Sequence, residues 1–370
     1  MTRRYLIEPA TRDDDGALRA LLRGTSMDGA VRLSLQREPD FFAAAETGNL
    51  DTYVVVGRET ATGRVVSTAT RGIRRAYVDG SECALGYLSS LRLGEEARNT
   101  TLLARGYRYL RELHADGRVP YYVTTILDGN EDARRVLTSG RAGLPAYAPY
   151  GRLHTYLLPL YGRRRRVHGG GAIRGAAADA LPGALACLNG FNAGLQFAPS
   201  YKLEDFDAGS AVLHGLGGGD LYLSSRGGEI AGTMAVWDQN RFKQSVVAGY
   251  SKTLAAVRPV LALGARFGLA PRLPRKGQPL ECLYAALVSS RDSDEDVFRD
   301  LLDHVLADRT DAGYAYLLLG LCEGHPFCAV AEKRSVMIVK SGIYLVYWRD
   351  RGPERLPSAD RVPHLEIATL

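Results

Sequence analysis

The sequence predicts an α/β protein of two domains, each a mixed, mostly antiparallel sheet flanked by helices. Three observations lead there. At 370 residues the chain exceeds one ordinary core and suits two domains of roughly 100–200 residues each. Its composition, 46% hydrophobic and 24% charged, is that of packed, water-soluble cores. In its first half, β-rich runs and amphipathic stretches follow one another in the order β-α-β-β-β-α-β-α-β, which builds one mixed sheet with helices packed on it.

Residues 5–9 are a short apolar strand. Thr11, Asp13 and Asp14 then start a helix carrying Leu18, Leu21 and Leu22 at helical spacing. Residues 52–57, 65–77 and 83–93 read as a three-stranded meander, its turns marked by Thr62-Gly63 and Asp79-Gly80. Leu102, Leu103, Gly106, Tyr107, Leu110 and Leu113 recur at spacings of three and four, which predicts a helix over 100–114 ended by Asp116, Gly117 and Pro120. A strand over 121–127, a short helix over 130–139 and a closing strand over 154–160 complete the half. Tyr147 and Tyr150 fall in the stretch before that strand, among Pro145 and Pro149, and read as an ordered loop.

The clearest boundary is 161–172, where Arg163 to Arg166 run into His168 and then Gly169 to Gly171. Like charges repel and triple glycine has no conformational preference, so this is an exposed linker between domains at 1–160 and 173–370. No aromatic residues interleave with the arginines to stack on bases, so nucleic acid is not expected there. Beyond the linker, 176–189 reads as helix, 220–224 and 229–237 as paired strands, 283–289 as a strand, 296–307 as an amphipathic helix, and 314–321 and 343–348 as strands. Strand, helix and strand recur in the relative places they hold in the first half, which predicts a structural duplication.

Five scattered cysteines with no C-x-x-C pair argue against a disulfide framework or a zinc site, and no metal is expected. Cys322 and Cys328 near His325 are too few ligands for a tetrahedral site. A net charge of +6 favours an anionic partner. No apolar run approaches the roughly 18 residues of a membrane span, and residues 1–9 lack signal-peptide character, so the expectation is a cytoplasmic protein with no membrane partner.

A strand that feeds a helix N-terminus is a natural anion site, because the first N–H groups of the helix are unpaired and its dipole is positive there. Residues 88–93, the turn 94–97 and the helix start at Arg98, Asn99, Thr100 and Thr101 supply that arrangement, with Arg98 adding charge and the others donors or caps.

Leu91-Arg92-Leu93-Gly94-Glu95-Glu96-Ala97-Arg98-Asn99-Thr100-Thr101-Leu102-Leu103 resembles the GNAT superfamily motif, in which an L-x-V strand and a short turn lead to R-x-x-G-x-G/A opening a helix. Arg98 matches, while Thr101 and Leu103 stand where the family has small residues. Asn130-Glu131-Asp132-Ala133, Val136, Leu137 and Gly143-Leu144 are similar to the family's N-x-x-A helix and its Gly-apolar end. The resemblance covers most of residues 5–160. It implies a tandem GNAT-like N-acyltransferase whose first domain binds acetyl-CoA or a longer acyl-CoA as co-substrate, through Leu91, Arg92, Leu93, Arg98, Asn99, Thr100, Thr101, Leu102 and Asn130. An amine, on a small molecule or a peptide, would attack the thioester directly, with a backbone N–H of 89–93 polarising the carbonyl.

An acyl-carrier protein is the alternative donor, since it presents one phosphate and a pantetheine. The family often places a tyrosine acid where this chain has Leu137, which leaves Tyr147 or Tyr150 as proton donor. Glu82, Asp128 or a water chain would take the amine's proton. Cys83 has no identifiable His or carboxylate partner and reads as a structural thiol. In the second half, the equivalent helix start carries Asp292, Asp294, Glu295 and Asp296, which repel phosphate, so that half is expected to be degenerate. Two other readings remain at this stage: a GNAT-fold binding or regulatory protein without catalysis, and a tandem-GNAT transferase drawing aminoacyl groups from transfer RNA.

Overall fold

A computed structural model of the chain describes residues 4–26, 31–98, 100–141, 143–162, 172–175, 178–267, 269–310, 312–350, 352–353 and 355–370. The predicted basic linker falls almost wholly on 163–171, which lie outside the described residues.

The first half runs β1 (Tyr5–Pro9), α1 (Asp15–Arg23), β2 (Val31–Gln36), α2 (Phe41–Glu46), β3 (Asp51–Glu59), β4 (Val65–Val78), β5 (Ser81–Leu93), α3 (Leu102–His114), β6 (Tyr122–Leu127), α4 (Glu131–Leu137) and β7 (Ala146–Pro159). The second runs β8 (Ala172–Arg174), α5 (Leu181–Asn192), β9 (Leu221–Arg226), β10 (Glu229–Trp237), β11 (Gln244–Tyr250), α6 (Lys252–Arg266), β12 (Cys282–Ser290), α7 (Glu295–Arg309), β13 (Tyr316–Cys322), α8 (Cys328–Glu332) and β14 (Met337–Tyr347). The expected mixed α/β layers are present. Tyr147 and Tyr150, expected in a loop, belong to β7, which starts eight residues earlier than the pattern 154–160 indicates.

One 12-stranded sheet runs β1-β3-β4-β5-β6-β14-β7-β13-β12-β10-β9-β8, and β11 pairs with β2 in a separate ribbon. The order exposes the duplication and a strand exchange within it. β14, the last strand of the second half, lies antiparallel to β6 with Val346 opposite Tyr122. β7, the last strand of the first half, lies antiparallel to β13 with Leu318 opposite Leu157. The two exchanged strands pair with each other at the centre, Met337 opposite Leu157 through Tyr347 opposite Ala146. Each half therefore finishes its sheet with the other's closing strand.

Both halves also repeat a local distortion. β5 and β6 are parallel and pair only at Gly86–Tyr122 and Tyr87–Val123; β12 and β13 are parallel and pair from Cys282–Tyr316 to Ala285–Leu319. Just beyond each pairing comes a bulge. Ser90 (φ 53°) and Leu91 stand opposite Ala69, and Leu287 (φ 51°) and Val288 opposite Met234. A positive φ is costly for any residue but glycine, and Leu is poorly suited to it, so the surrounding sheet holds these positions. Gly86 is required where β5 and β6 converge: a Cβ there would come within 2.3 Å of the Tyr122 ring.

Candidate acyl-donor site

The parting of β5 from β6 opens a cavity of ≈ 450 Å³, within the range of small-molecule sites. Past Tyr87, β5 makes no further strand pair with β6 among the described residues, so its N–H and C=O groups on that edge need other partners. Thr124 reaches across and donates its Oγ1 hydrogen to the Leu88 carbonyl at 2.8 Å. α3 roofs the opening with Leu102, Leu103, Gly106, Tyr107 and Leu110, the face predicted from its periodicity, and α4 adds Asn130, Ala133 and Leu137. The far wall comes from the second half: Tyr284 of β12, Leu318 of β13, Ser341 of β14, and Ile367 and Leu370 of the closing segment.

Five of the nine expected donor-binding residues line this cavity: Leu91, Arg92, Leu93, Leu102 and Asn130. Asn130 also caps α4, its Oδ1 accepting the Ala133 N–H at 3.2 Å. Arg98 is exposed and outside the cavity wall, before the first turn of α3. Thr100 donates to the Ala97 carbonyl at 2.7 Å and accepts the Leu102 N–H at 3.2 Å, so it satisfies the helix start itself. Thr101 is exposed as the residue preceding α3. Asn99 lies outside the described residues.

Of the expected catalytic residues only Tyr147 reaches the cavity. Its hydroxyl hydrogen-bonds that of Tyr107, and the two rings meet edge to face at 6.3 Å. Burial raises the Tyr147 hydroxyl well above its ordinary pKa and that of Tyr107 to about 12, so both keep their protons. Tyr150 and Glu82 are not carried forward. The Tyr150 hydroxyl donates to the Ser358 carbonyl and the Glu82 carboxylate accepts from the Ser200 hydroxyl, both away from the cavity wall.

The lining residues include no Asp, Glu or His, but three arginines. Arg71 is neutralised by a two-pronged pair with Asp116 at 2.8 Å and also donates to the Tyr122 hydroxyl at 3.0 Å. Arg37 and Arg92 have no carboxylate partner among the described residues; each donates only to the carbonyl of the residue before it, Gln36 or Leu91. Burial lowers both, Arg37 to about 10. Beside them Lys243, nearly sealed from solvent, donates to the main-chain oxygens of Ala368 and Leu370, and burial together with Arg37 and Arg74 pulls it well below its ordinary value. Sequence reasoning missed Arg37, Tyr284 and the closing segment, because nothing periodic marks residues that meet only through the tertiary fold.

In the second half the equivalent opening is filled. The Glu366 carboxylate accepts the Leu287 N–H of the bulge at 2.9 Å. The start of α7 is capped by Asp294, which accepts from Asp296 N–H at 2.8 Å and Val297 N–H at 3.1 Å and pairs with Arg226. No groups of three or more His, Cys, Asp or Glu arranged to hold a metal occur among the described residues.

The twinned halves, the parted parallel strands and the bulge beside a helix N-terminus make a GNAT-like fold in tandem form. Solved structures agree. The Saccharomyces cerevisiae N-myristoyltransferase with bound myristoyl-CoA superimposes with a TM-score of 0.62 at 10% identity, over 98% of this chain and 84% of that one. A GCN5-related N-acetyltransferase from Sphaerobacter thermophilus gives 0.56 at 11% identity, over 97% and 99%. The GCN5-related glucosamine N-acetyltransferase region of a fungal GH3 β-N-acetylglucosaminidase gives 0.62 at 10% identity, over 93% of this chain and 38% of that one. No family model and no curated protein matches the sequence. At these identities the likeness establishes the fold.

Proposed function

We propose that the chain is an N-acyltransferase that binds an acyl-CoA in the cavity between β5 and β6 and transfers the acyl group to an amine. The single observation that carries this reading is the open bulge at Ser90–Leu91, set beside a cavity that runs under α3. The first domain, 1–160, binds the donor; the second, 173–370, closes the cavity and has lost its own site to Glu366. The reaction belongs in the cytoplasm.

In this reading the thioester carbonyl lies against the unpaired edge of β5, where backbone N–H groups meet the negative charge that develops during attack. The acyl chain follows the apolar wall of α3 and α4, removing methylenes from water at about 0.8 kcal/mol each. Arg37 and Arg92 set positive charge on the cavity wall, which lowers the pKa of an entering amine and favours its neutral, nucleophilic form without an Asp or Glu base. As the C–S bond breaks, the Tyr147 hydroxyl donates to the departing thiolate, with Tyr107 hydrogen-bonded behind it, and the proton that the attacking nitrogen sheds on becoming an amide returns to Tyr147. That chain places an acid where Leu137 cannot serve.

The test is calorimetric titration with acetyl-CoA, a long-chain acyl-CoA and free coenzyme A, repeated with Arg98→Glu. Saturable binding, weakened about tenfold by reversing the charge before the start of α3, is the expected result. A folded protein that binds none of the three overturns the proposal.

A further inference from the structure

Five of the eleven large apolar side chains left exposed among the described residues lie on or just beyond one element, α6. α6 has no buried residue. Its N-terminus is capped by Ser251, whose Oγ accepts the Leu254 N–H at 3.3 Å. Val257 is 45% exposed, Val260 71%, Leu263 57% and Phe267 72%, and Leu269 just beyond is 80% exposed. At 100° per residue, Val257, Val260, Leu263 and Phe267 fall within one third of the helix circumference, forming a stripe along one side. A contiguous apolar stripe turned outward marks an interaction surface, unlike single exposed aliphatics.

The charge around the stripe has one sign. From Gln239 to Leu280 there are eight lysines and arginines and not one aspartate or glutamate. Arg258 is drawn inward over the Tyr250 ring, 4.8 Å from its centroid, and donates to the Pro274 carbonyl at 3.3 Å, which holds the helix to the ribbon. Lys252, Arg266, Arg272, Arg275 and Lys276 are exposed.

We propose that α6 docks on an anionic lipid surface, burying Val260, Leu263 and Phe267 among acyl chains while the exposed cations meet the headgroups. A convex helix with an apolar stripe and uncompensated cations suits an interface of negative charge and no fixed shape. The surface is coupled to the cavity by construction: β11, which leads into α6, pairs with β2, and β2 supplies Leu35 to the cavity wall, with Arg37 just after it. The sequence expectation of no membrane partner rested on the lack of a spanning segment, and no helix among the described residues is long and apolar enough to span. A helix lying in the interface needs none.

The test is co-sedimentation of the full chain with phosphatidylcholine vesicles, with and without phosphatidylserine, alongside the double variant Leu263→Glu/Phe267→Glu. Both positions are exposed, and circular dichroism checks that the variant folds. The expected result is binding that requires phosphatidylserine, falls at high salt, and is weakened about tenfold or more in the variant. Failure to bind anionic vesicles, or equal binding by the variant, overturns the proposal. So does a self-association that the same variant abolishes in the absence of vesicle binding, since the face would then serve a second copy. The readout needs no acyl transfer, so its outcome is independent of the activity.

Discussion

Replacing Glu366 with glutamine should change how the stability of this protein depends on pH. The Glu366 carboxyl is buried against β12, and burial pushes it up to about 7 from the 4.5 of an unfolded chain, the Leu287 and Ala368 N–H groups recovering only part of the cost. Between those values the folded state holds a proton that the unfolded state has released. This contribution is therefore fully present below pH 4.5 and is lost as pH rises through 7, a change of about 3 kcal/mol over the whole range. His364 acts in the opposite sense. Burial lowers it from 6.5 to about 4, so its contribution is present above pH 6.5 and is lost as pH falls toward 4, again by about 3 kcal/mol. His325, packed 5.6 Å from it between ring centroids, is depressed in the same direction by burial and by His364.

In the wild type the two slopes oppose each other between pH 4.5 and 6.5. The amide that Glu366→Gln introduces keeps an acceptor for the Leu287 N–H and cannot ionise, so only the histidine slope remains. Urea unfolding at pH 5 and pH 8, which span most of the Glu366 transition, should show the variant gaining about 2.5 kcal/mol on the wild type between the two values. A difference between the proteins that is the same at both pH values would refute the reasoning, because it would mean that Glu366 is not protonated in the folded state near pH 5.

Three further outcomes follow from the walls of the cavity. Gly106 lines the cavity with nothing within 4 Å of a built Cβ, so Gly106→Ala should stabilise α3 by about 0.5–1 kcal/mol, measured by urea unfolding. Gly106→Leu fills space for about three methylenes and should weaken long-chain acyl-CoA by about 2 kcal/mol, roughly thirtyfold in Kd, while free coenzyme A changes little; calorimetry that shows equal losses for both ligands would place the chain elsewhere. Asp116→Asn strips the partner from Arg71, which is 1% exposed, and should cost about 3 kcal/mol in urea unfolding, the low end for a broken buried pair because water reaches Asp116; Arg71→Met, which removes the buried charge instead, should cost less.

How much of this was legible depended on the range of the interactions involved. The face of α3 was readable because Leu102, Leu103, Gly106, Tyr107 and Leu110 repeat at helical spacing, and that face does roof the cavity. Leu91 to Leu93 and Asn130 were readable because a strand, a turn and a helix cap are local. β2, α2, β11 and α6 were not: the ribbon of β2 and β11 joins residues more than 200 apart, and α6 has no solvent-facing polar stripe to give it an amphipathic period. Tyr147 was assigned to a loop because Pro145 and Pro149 interrupt the alternation, yet it lies in β7 opposite Val346 of a strand from the other half. No window along the sequence could supply that partner.

The strand exchange explains why the two halves have diverged as they have. Because β14 sits between β6 and β7, Ser341 from the second half enters the cavity wall of the first, and the segment after β14 is carried back across the molecule. That segment places Glu366 on the Leu287 N–H of one bulge and Ile367 and Leu370 in the wall of the other cavity. Both halves keep the left-handed residue at the bulge, Ser90 and Leu287. A distorted strand edge with unpaired donors must be satisfied by something. In the second half a side chain of the chain itself supplies the acceptor, and the position is structural. In the first half no Asp or Glu side chain among the described residues lines the opening, and Arg37 and Arg92 stand there without an Asp or Glu partner among the described residues. An anionic or carbonyl-bearing ligand would supply what Glu366 supplies on the other side, and that asymmetry is the ground for proposing the donor site at β5 rather than at β12.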